Sequence, residues 1–301
     1  MTLSGAKTTT AGAAGELRPA ELFEHAESVR LELTLPESDA HPVATALGMD
    51  PLDAHVRLVS FLDTPDLALL RHGVVLRARR RRGRDDTLVA LRPVTPRGLT
   101  RAQRRSAAFA LAIDAPPGAP GSSAWIKSRP DAGAIARVGA GDAPVRGLFS
   151  SEQRALFRAH APDGLGLDDL TLLGPMVVLR PKFTPEAFGR RLVADLWMYP
   201  DGSRLLELST RCAPGRVERA AAETRDFLRR YGVDVTPARE TAPERALALL
   251  ARQAGRAPGA LTTEEGMPPG WPLAEAPVRL AYAAAHVAQM PPIRTTREEH
   301  G

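Results

Sequence analysis

Basic side chains recur at every second position of one short segment. In "GVVLRARRRRG", which begins at Gly73, Arg77, Arg79 and Arg81 are each two residues apart. On a β-strand they would extend from one face about 7 Å from one another. Such a ladder is either a solvated outer face or a clamp for a polyanion, because the forked nitrogens of arginine match phosphate oxygens. Both alternatives stay open at this point.

Two other strand-like segments also end in basic residues. Arg92 closes "TLVALRP", and Arg180 and Lys182 share one side of "VVLRPKF". Each of them alone is typical of a surface charge. Basic positions on several neighbouring strands together favour a binding surface over chance.

Three carboxylates lie in apolar segments with the alternation of a strand. Glu32 stands two residues after Arg30 in "VRLELTL", Asp195 lies in "RRLVADLWMY", and Glu207 lies in "RLLELST". A carboxylate in an apolar strand is costly unless it is paired or coordinates a cation. Each of the three therefore has either an arginine partner or a metal role.

The composition limits the class of protein. The 301 residues are 44% hydrophobic and 25% charged, which is typical of a globular chain. No run approaches the roughly 18 apolar residues of a membrane helix, so we expect a cytoplasmic protein without a membrane partner. The single Cys212 excludes a disulfide framework within the chain, and the seven histidines lack metal-ligand spacing.

Strand patterns dominate, and helices are few and short. A Pro-Asp-Gly turn at 200–202 joins two alternating segments as a hairpin, and helices are predicted over 216–231 and 243–254. Consecutive strands joined by tight turns predict an antiparallel sheet, and closure into a barrel would remove its edges. We therefore predict an α+β fold built on a closed barrel with a polar interior.

The chain divides into segments of different character. A weak strand is expected over 104–112, and the signal loosens from 115 to about 175 because Pro and Gly cluster there. Three parts are predicted: a disordered N-terminal segment over 1–24, a tunnel domain over 25–254, and a C-terminal tail over 255–301 with one short helix at 275–289.

Together these segments resemble the CYTH superfamily, the triphosphate tunnel metalloenzymes. The segment "FLDTPDLALLRHGVVLRARRRRG" is similar to the family's strand, Asp-Thr-Pro helix and Arg-x-Arg strand, and the likeness extends over about residues 27–250. The resemblance implies an eight-stranded antiparallel β-tunnel with helices packed outside. It also implies basic residues that grip a triphosphate and acidic residues that hold one or two divalent metals.

The resemblance assigns roles to the residues above. It implies that the phosphates are bound by Arg77, Arg79, Arg92, Arg180 and Lys182. It implies that Mg²⁺ or Mn²⁺ is held by Glu32, Asp195 and Glu207. Loss of Glu32 or Glu207 is then expected to abolish catalysis.

The chain also departs from the family pattern. Of the family's amino-terminal Glu-x-Glu-x-Lys signature only Glu32 is kept, because Arg30 and Thr34 replace the other two residues. Ser209 and the run 106–108 stand where acidic residues are usual. An inward-pointing Arg30 would pair with Glu32 and replace a metal.

Two functions follow from this pattern, and the sequence leaves both open. The first is metal-assisted hydrolysis of an inorganic or organic triphosphate. The second is a catalytically degenerate tunnel that binds a polyphosphate or nucleotide as a sensor or scaffold. Nucleic-acid binding by the arginine cluster over 77–84 is not expected, because no aromatic residue is interleaved there to stack bases.

Overall fold

Most of the chain between residues 28 and 255 is described by the computed structural model. The described ranges are 28–35, 43–49, 53–94, 99–114, 122–181, 185, 188–233 and 240–255. Lys182, the N-terminal segment 1–24 and the tail helix predicted at 275–289 lie outside them. The division into three parts therefore stays a prediction.

Nine strands within the described ranges form one closed barrel. They are β1 (Val29–Leu35), β2 (His55–Asp63), β3 (Val74–Arg81), β4 (Arg84–Leu91), β5 (Phe109–Asp114), β6 (Ser122–Ser128), β7 (Thr171–Arg180), β8 (Leu192–Met198) and β9 (Arg204–Cys212). The order around the barrel is β1-β5-β6-β4-β3-β2-β7-β8-β9, and β9 pairs with β1. The prediction of a closed barrel in an α+β fold is confirmed.

The strand count and one strand direction differ from the predicted eight antiparallel strands. A closed ring can alternate in direction throughout only when its number of strands is even. With nine strands one neighbouring pair must be parallel, and this pair is β1 and β5. The additional strand is β6. It was not predicted, because a Pro- and Gly-rich stretch that is typical of a loop directly precedes it.

Residues 43–46 are helical, and six further α-helices within the described ranges accompany the barrel. They are α1 (Ala68–Arg71), α2 (Arg101–Arg104), α3 (Ala134–Gly139), α4 (Ser151–His160), α5 (Val217–Arg230) and α6 (Ala242–Ala254). The outward face of β1 packs under α5, where Leu33 and Leu35 share a cluster with Phe227 and Leu228. None of the helices in these ranges combines the length and hydropathy that crossing a bilayer requires.

Helix α6 covers one end of the barrel. Its buried Ala246, Leu247 and Leu250 belong to the same cluster as Phe61 and Trp197. The rings of Phe61 on β2 and Trp197 on β8 lie 6.4 Å apart although their strands are not neighbours, so both point into the barrel. The apolar face of α6 therefore seals an apolar end of the lumen.

The Asp-Thr-Pro segment after β2 forms hydrogen bonds at the start of helix α1. The carboxylate of Asp63 accepts hydrogen bonds from the backbone N–H groups of Thr64, Leu69 and Leu70 at 2.7, 2.9 and 3.0 Å. Residues 65–66 form a turn, and helix α1 begins at Ala68. The carboxylate of Asp63 thus connects the end of β2 to the start of α1.

Gly73 sets the position of Arg92. Its φ of +71° is left-handed, and a Cβ there would lie 2.6 Å from the carbonyl oxygen of Arg92. The N–H of Arg92 donates to the carbonyl of Gly73 at 2.7 Å. Only glycine permits this approach, which holds Arg92 at the barrel wall.

The strand predicted over 104–112 is displaced along the chain. Residues 101–104 are helical, and β5 starts only at Phe109. The run 106–108 therefore precedes the strand, and the β5 residues that pair with the inward-facing Trp125 and Ser123 are Ala110 and Ala112.

Candidate functional site

The barrel encloses a cavity of about 410 Å³. All of the predicted site residues that lie in the described ranges line it: Glu32, Arg77, Arg79, Arg92, Arg180, Asp195 and Glu207. Arg30 and Ser209, the two departures from the family pattern, also line it. The alternation of the strands thus brings these residues to one lumen.

One side of the lumen is centred on a buried aspartate. Asp86 on β4 accepts hydrogen bonds from Nε of Arg79 at 3.1 and 3.0 Å and from its Nη2 at 2.8 Å. Nε of Arg81 and Nζ of Lys127 lie 3.3 and 3.7 Å from the same carboxylate. Although burial opposes ionisation, the bonds from Arg79 and the charges of Arg79 and Lys127 hold the pKa of Asp86 below its ordinary range.

A second cluster lies where β7 meets β8. Both oxygens of Asp195 accept from Arg180, with Nε of Arg180 2.6 Å from Oδ1. Nη1 of Arg57 is 3.9 Å from the same Oδ1, and among the described residues the buried Nε and Nη1 of Arg57 have no hydrogen-bond partner. Burial and the charge of Arg180 lower the pKa of Arg57 to about 9.

We call six cationic residues on four strands of this side of the barrel the basic wall. They are Arg57 on β2, Arg77, Arg79 and Arg81 on β3, Lys127 on β6 and Arg180 on β7. Within the described ranges their ion pairs go to Asp86 and Asp195 alone. The buried Nε of Arg77 has no hydrogen-bond partner in the described part of the chain. The wall therefore carries more positive charge than its own carboxylates balance.

Arg30 occupies the opposite side of the lumen, between two carboxylates. Its Nη1 lies 3.0 Å from Oε1 of Glu32, and its Nη2 lies 3.1 Å from Oε1 of Glu207. The same Nη2 donates to Oγ of Ser209 at 2.9 Å. The inward orientation of Arg30 that the sequence raised as an alternative is the one observed.

Glu207 is the most perturbed acid in this group. Its neighbours include Asp195, directly opposite on β8, and Glu32 on β1. Burial, followed by the charge of Glu32, raises the pKa of Glu207 to about 8, and Arg30 opposes this rise. The guanidinium of Arg30 thus pairs with both Glu32 and Glu207, whose charges repel one another.

These residues do not fit a divalent cation as they are arranged. Arg30 bridges Glu32 and Glu207, and Arg180 engages both oxygens of Asp195. In the described part of the chain, no three Asp, Glu, His or Cys side chains gather as a metal site. The buried atoms of Arg57 and Arg77 that lack a partner within the described ranges are N–H donors, which bind an acceptor oxygen and not a cation. The metal roles of the three acids stay predictions.

The sequence reasoning missed several residues of the lumen. They are Arg57, Asp86, Ser123, Lys127, Arg191 and Arg211. A signal existed for Asp86, which shares the face of Leu88, Ala90 and Arg92 on β4. Lys127 could be found only by recognising β6 as a strand.

The lumen also has an apolar part. Val75, Ala90 and Trp125 are direct neighbours across β3, β4 and β6, and all three line the cavity. Leu88 separates Arg77 from Lys127 in the next row. The cationic side chains therefore emerge from a partly dry surface, where their charges are screened less than in water.

Comparison with known proteins finds relatives by structure only. No protein-family model matches the chain, and no curated protein sequence matches it. HpAC1 from Hippeastrum, a candidate adenylyl cyclase whose structure is described as revealing a dominant triphosphatase activity, is 18% identical with a TM-score of 0.51. That match covers 76% of this chain and 97% of the Hippeastrum chain.

A second solved structure is a candidate adenylate cyclase from Bacillus halodurans. It is 14% identical with a TM-score of 0.49, over 73% of this chain and 97% of the other. At these identities the likeness is one of fold. The likeness to the Hippeastrum protein bears out the fold that the sequence resemblance predicted.

Proposed function

We propose that the lumen binds the phosphate chain of a triphosphate, polyphosphate or nucleotide. The observation that carries this proposal is the basic wall, in which five of six cationic side chains pair with Asp86 or Asp195 and Arg77 forms no ion pair within the described ranges. A surplus of buried positive charge is costly unless an anion enters to balance it. A chain of phosphates supplies several negative charges in a row, spaced to meet successive arginines.

The direction of the donors supports a phosphate ligand. Arg77 lines the cavity, and its buried Nε has no partner within the described ranges. Arginine presents planar N–H groups that match phosphate oxygens in pairs. In this proposal Arg77, Arg79, Arg92 and Arg180 bind phosphate, as the resemblance implies, and Lys127 joins them. Lys182 keeps its proposed role from the sequence alone.

The geometry favours binding without turnover over hydrolysis. Hydrolysis by the route that the family implies would use Mg²⁺ or Mn²⁺ to polarise a phosphoryl oxygen, with Glu32, Asp195 and Glu207 as ligands. Those carboxylates are engaged by Arg30 and Arg180. The triphosphatase activity in the description of the Hippeastrum protein supports a triphosphate as the ligand class.

A ligand panel tests the proposal. Tripolyphosphate, thiamine triphosphate, ATP and long-chain polyphosphate are titrated calorimetrically into the full chain, with and without Mg²⁺ and Mn²⁺, and phosphate release is followed in parallel. We expect binding of at least one compound and no release above background. Release that requires Mg²⁺ and is lost in Glu32→Ala and Glu207→Ala would establish hydrolysis instead. Absence of binding by every compound would refute the proposal.

Lys127 makes binding depend on pH. Burial lowers the pKa of Lys127 to about 8, the charges of Arg79 and Arg81 add to the effect, and Asp86 opposes it. One pH unit above this pKa most Lys127 side chains are neutral, so ligand binding must also protonate Lys127. We therefore expect the affinity for tripolyphosphate to fall about tenfold between pH 7 and pH 9, since each pKa unit corresponds to a factor of ten.

Lys127→Met is the control for that titration. The ligand's own protonation changes over the same range and acts equally on the variant and the wild type. The difference between their affinities should shrink by about tenfold from pH 7 to pH 9, because the wild type loses its lysine charge. A difference that is constant with pH would show that Lys127 stays charged throughout or lies away from the ligand.

A further inference from the structure

The guanidinium of Arg30 lies where two lumen carboxylates converge. Its two terminal nitrogens are 3.0 Å from Glu32 and 3.1 Å from Glu207. We propose that Arg30 is a built-in cation that replaces a divalent metal ion between these carboxylates. The lumen then binds its phosphate ligand without a divalent cation. This last step rests on the proposed function, whereas the exclusion of metal does not.

The strand register explains how one residue reaches both acids. Arg30 and Glu32 point into the barrel from the same face of β1, two residues apart. Thr34 is the direct neighbour of Glu207 on β9, and Ser209 is that of Glu32. Arg30 therefore extends along β1 past Glu32, and its Nη2 meets Glu207 and Ser209 diagonally. A short neutral side chain at Ser209 leaves room for this path.

The charge of Arg30 is permanent under ordinary conditions. Arginine stays protonated at neutral pH, so the guanidinium of Arg30 does not leave the carboxylates as a neutral group. Burial works against its charge, but Glu32 and Glu207 raise the pKa of Arg30 above its ordinary value. A divalent cation at the same carboxylates would lie within a few ångströms of this fixed charge and be repelled strongly in a partly dry lumen.

The third lumen acid does not provide a substitute site. Asp195 is the direct neighbour of Glu207 across β8 and β9, but both of its oxygens accept from Arg180. Arg57 stands 3.9 Å away as a second cation. All three acids are thus balanced from within the chain, which leaves the incoming anion to be held by the basic wall.

Removal of the guanidinium should create a metal site that the wild type lacks. We expect Arg30→Ala to bind one Mn²⁺ per chain, at least tenfold more tightly than the wild type, in a calorimetric or electron paramagnetic resonance titration without phosphate. Arg30→Gln is the second variant, because its amide can still hydrogen-bond a carboxylate and keep the fold. Circular dichroism establishes that the variants are folded.

Two comparisons make the result specific. Arg211→Ala removes the cationic neighbour of Arg30 on β9 but frees neither Glu32 nor Glu207, so it should gain no Mn²⁺ affinity. Glu207→Gln added to Arg30→Ala should cancel the gain. Wild-type binding of Mn²⁺ as tight as that of Arg30→Ala, or folded Arg30 variants that gain no affinity, would overturn the proposal.

A second experiment tests whether the phosphate ligand needs a divalent cation to bind. Tripolyphosphate should bind the wild type with the same affinity, within a factor of two, in a metal chelator and in millimolar Mg²⁺, after correction for the Mg²⁺ that the free ligand binds. Tenfold tighter binding in Mg²⁺ would overturn metal-independent binding. If tripolyphosphate and the other phosphate compounds fail to bind, the proposed function fails, while the Mn²⁺ titration still decides the role of Arg30.

Discussion

Replacing Arg77 with methionine should weaken tripolyphosphate binding about 100-fold and raise the thermal stability of the ligand-free protein. Arg77 lines the cavity, and its buried Nε has no hydrogen-bond partner among the residues that the structure describes. Loss of one partner from a buried charge pair costs roughly 2–5 kcal/mol, and a factor of 100 corresponds to about 2.7 kcal/mol. The affinity therefore depends on this side chain more than on any surface arginine.

The gain in stability has a separate cause. Burial, with the neighbouring charge of Arg79, lowers the pKa of Arg77 to about 10, so the guanidinium is held at a cost in the empty lumen. Methionine is unbranched and packs beside Phe61 and Leu88, the neighbours of Arg77 on β2 and β4. A change that removes buried repulsion while retaining apolar volume should stabilise the barrel.

Arg80→Met provides the matched control. Arg80 lies on the same strand but on the opposite face, where it pairs in register with Leu58 and Asp85. We expect its substitution to leave the tripolyphosphate affinity within threefold of the wild type. Calorimetry gives the affinities, and thermal denaturation without phosphate gives the stabilities. Equal losses of affinity in both variants would mean that the ligand is attracted by overall charge and is not held in the lumen.

The inward ladder of β3 could be predicted because its signal is local. A strand alternates its side chains with a period of two, so Arg77, Arg79 and Arg81 had to share one face. The same argument placed Glu32, Asp195 and Glu207 on strands, and the structure gathers the first and last of these around Arg30. Local alternation determines which residues share a face, but it does not determine which face is the lumen.

Arg57 illustrates that limit. It shares its face of β2 with Val59 and Phe61, so the local pattern favours an apolar environment for the whole face. The face turned out to be the lumen side, with Arg57 beside Arg180 and Asp195. The two neighbouring strands, β7 with Arg180 and β3 with Arg79, make this otherwise apolar face a basic site.

Contacts between side chains on different strands could not be predicted from the sequence, for a different reason. Arg30 and Glu207 are 177 residues apart, and their contact depends on the register of β1 against β9. A shift of one residue would turn every side chain of β1 to the other face. The register of β6 against β4 likewise places Nζ of Lys127 3.7 Å from Asp86, and β6 was not predicted as a strand.

Asp86→Asn should destabilise the ligand-free protein by about 3 kcal/mol at neutral pH, since removing one partner of a buried charge cluster costs roughly 3–5 kcal/mol. Asp86 is the only carboxylate within the described ranges that forms ion pairs with Arg79, Arg81 and Lys127. An amide keeps the shape of the side chain and one acceptor oxygen but supplies no negative charge. Three cations are then left to repel one another.

The pH dependence identifies the charge as the cause. The hydrogen bonds and charges around Asp86 outweigh its burial and hold its pKa below the ordinary value of 3.8. The stabilisation is therefore present above about pH 4 and is lost as the pH falls through the lower folded pKa. Urea denaturation should show a deficit for Asp86→Asn at pH 7 that shrinks as the pH falls below about 4 and through the lowered pKa of Asp86.

Tripolyphosphate should recover most of this loss, because its charges replace the missing carboxylate beside the same three cations. Saturating ligand should raise the melting temperature of Asp86→Asn more than that of the wild type. The neighbouring Asp85 is the control: it faces outward and accepts from the backbone N–H of Ile135 at 3.2 Å. Asp85→Asn should cost only about 1 kcal/mol and gain no extra ligand stabilisation. Equal ligand shifts in both variants would place the phosphate away from Asp86, and a larger shift in Asp86→Asn alone places it against the basic wall.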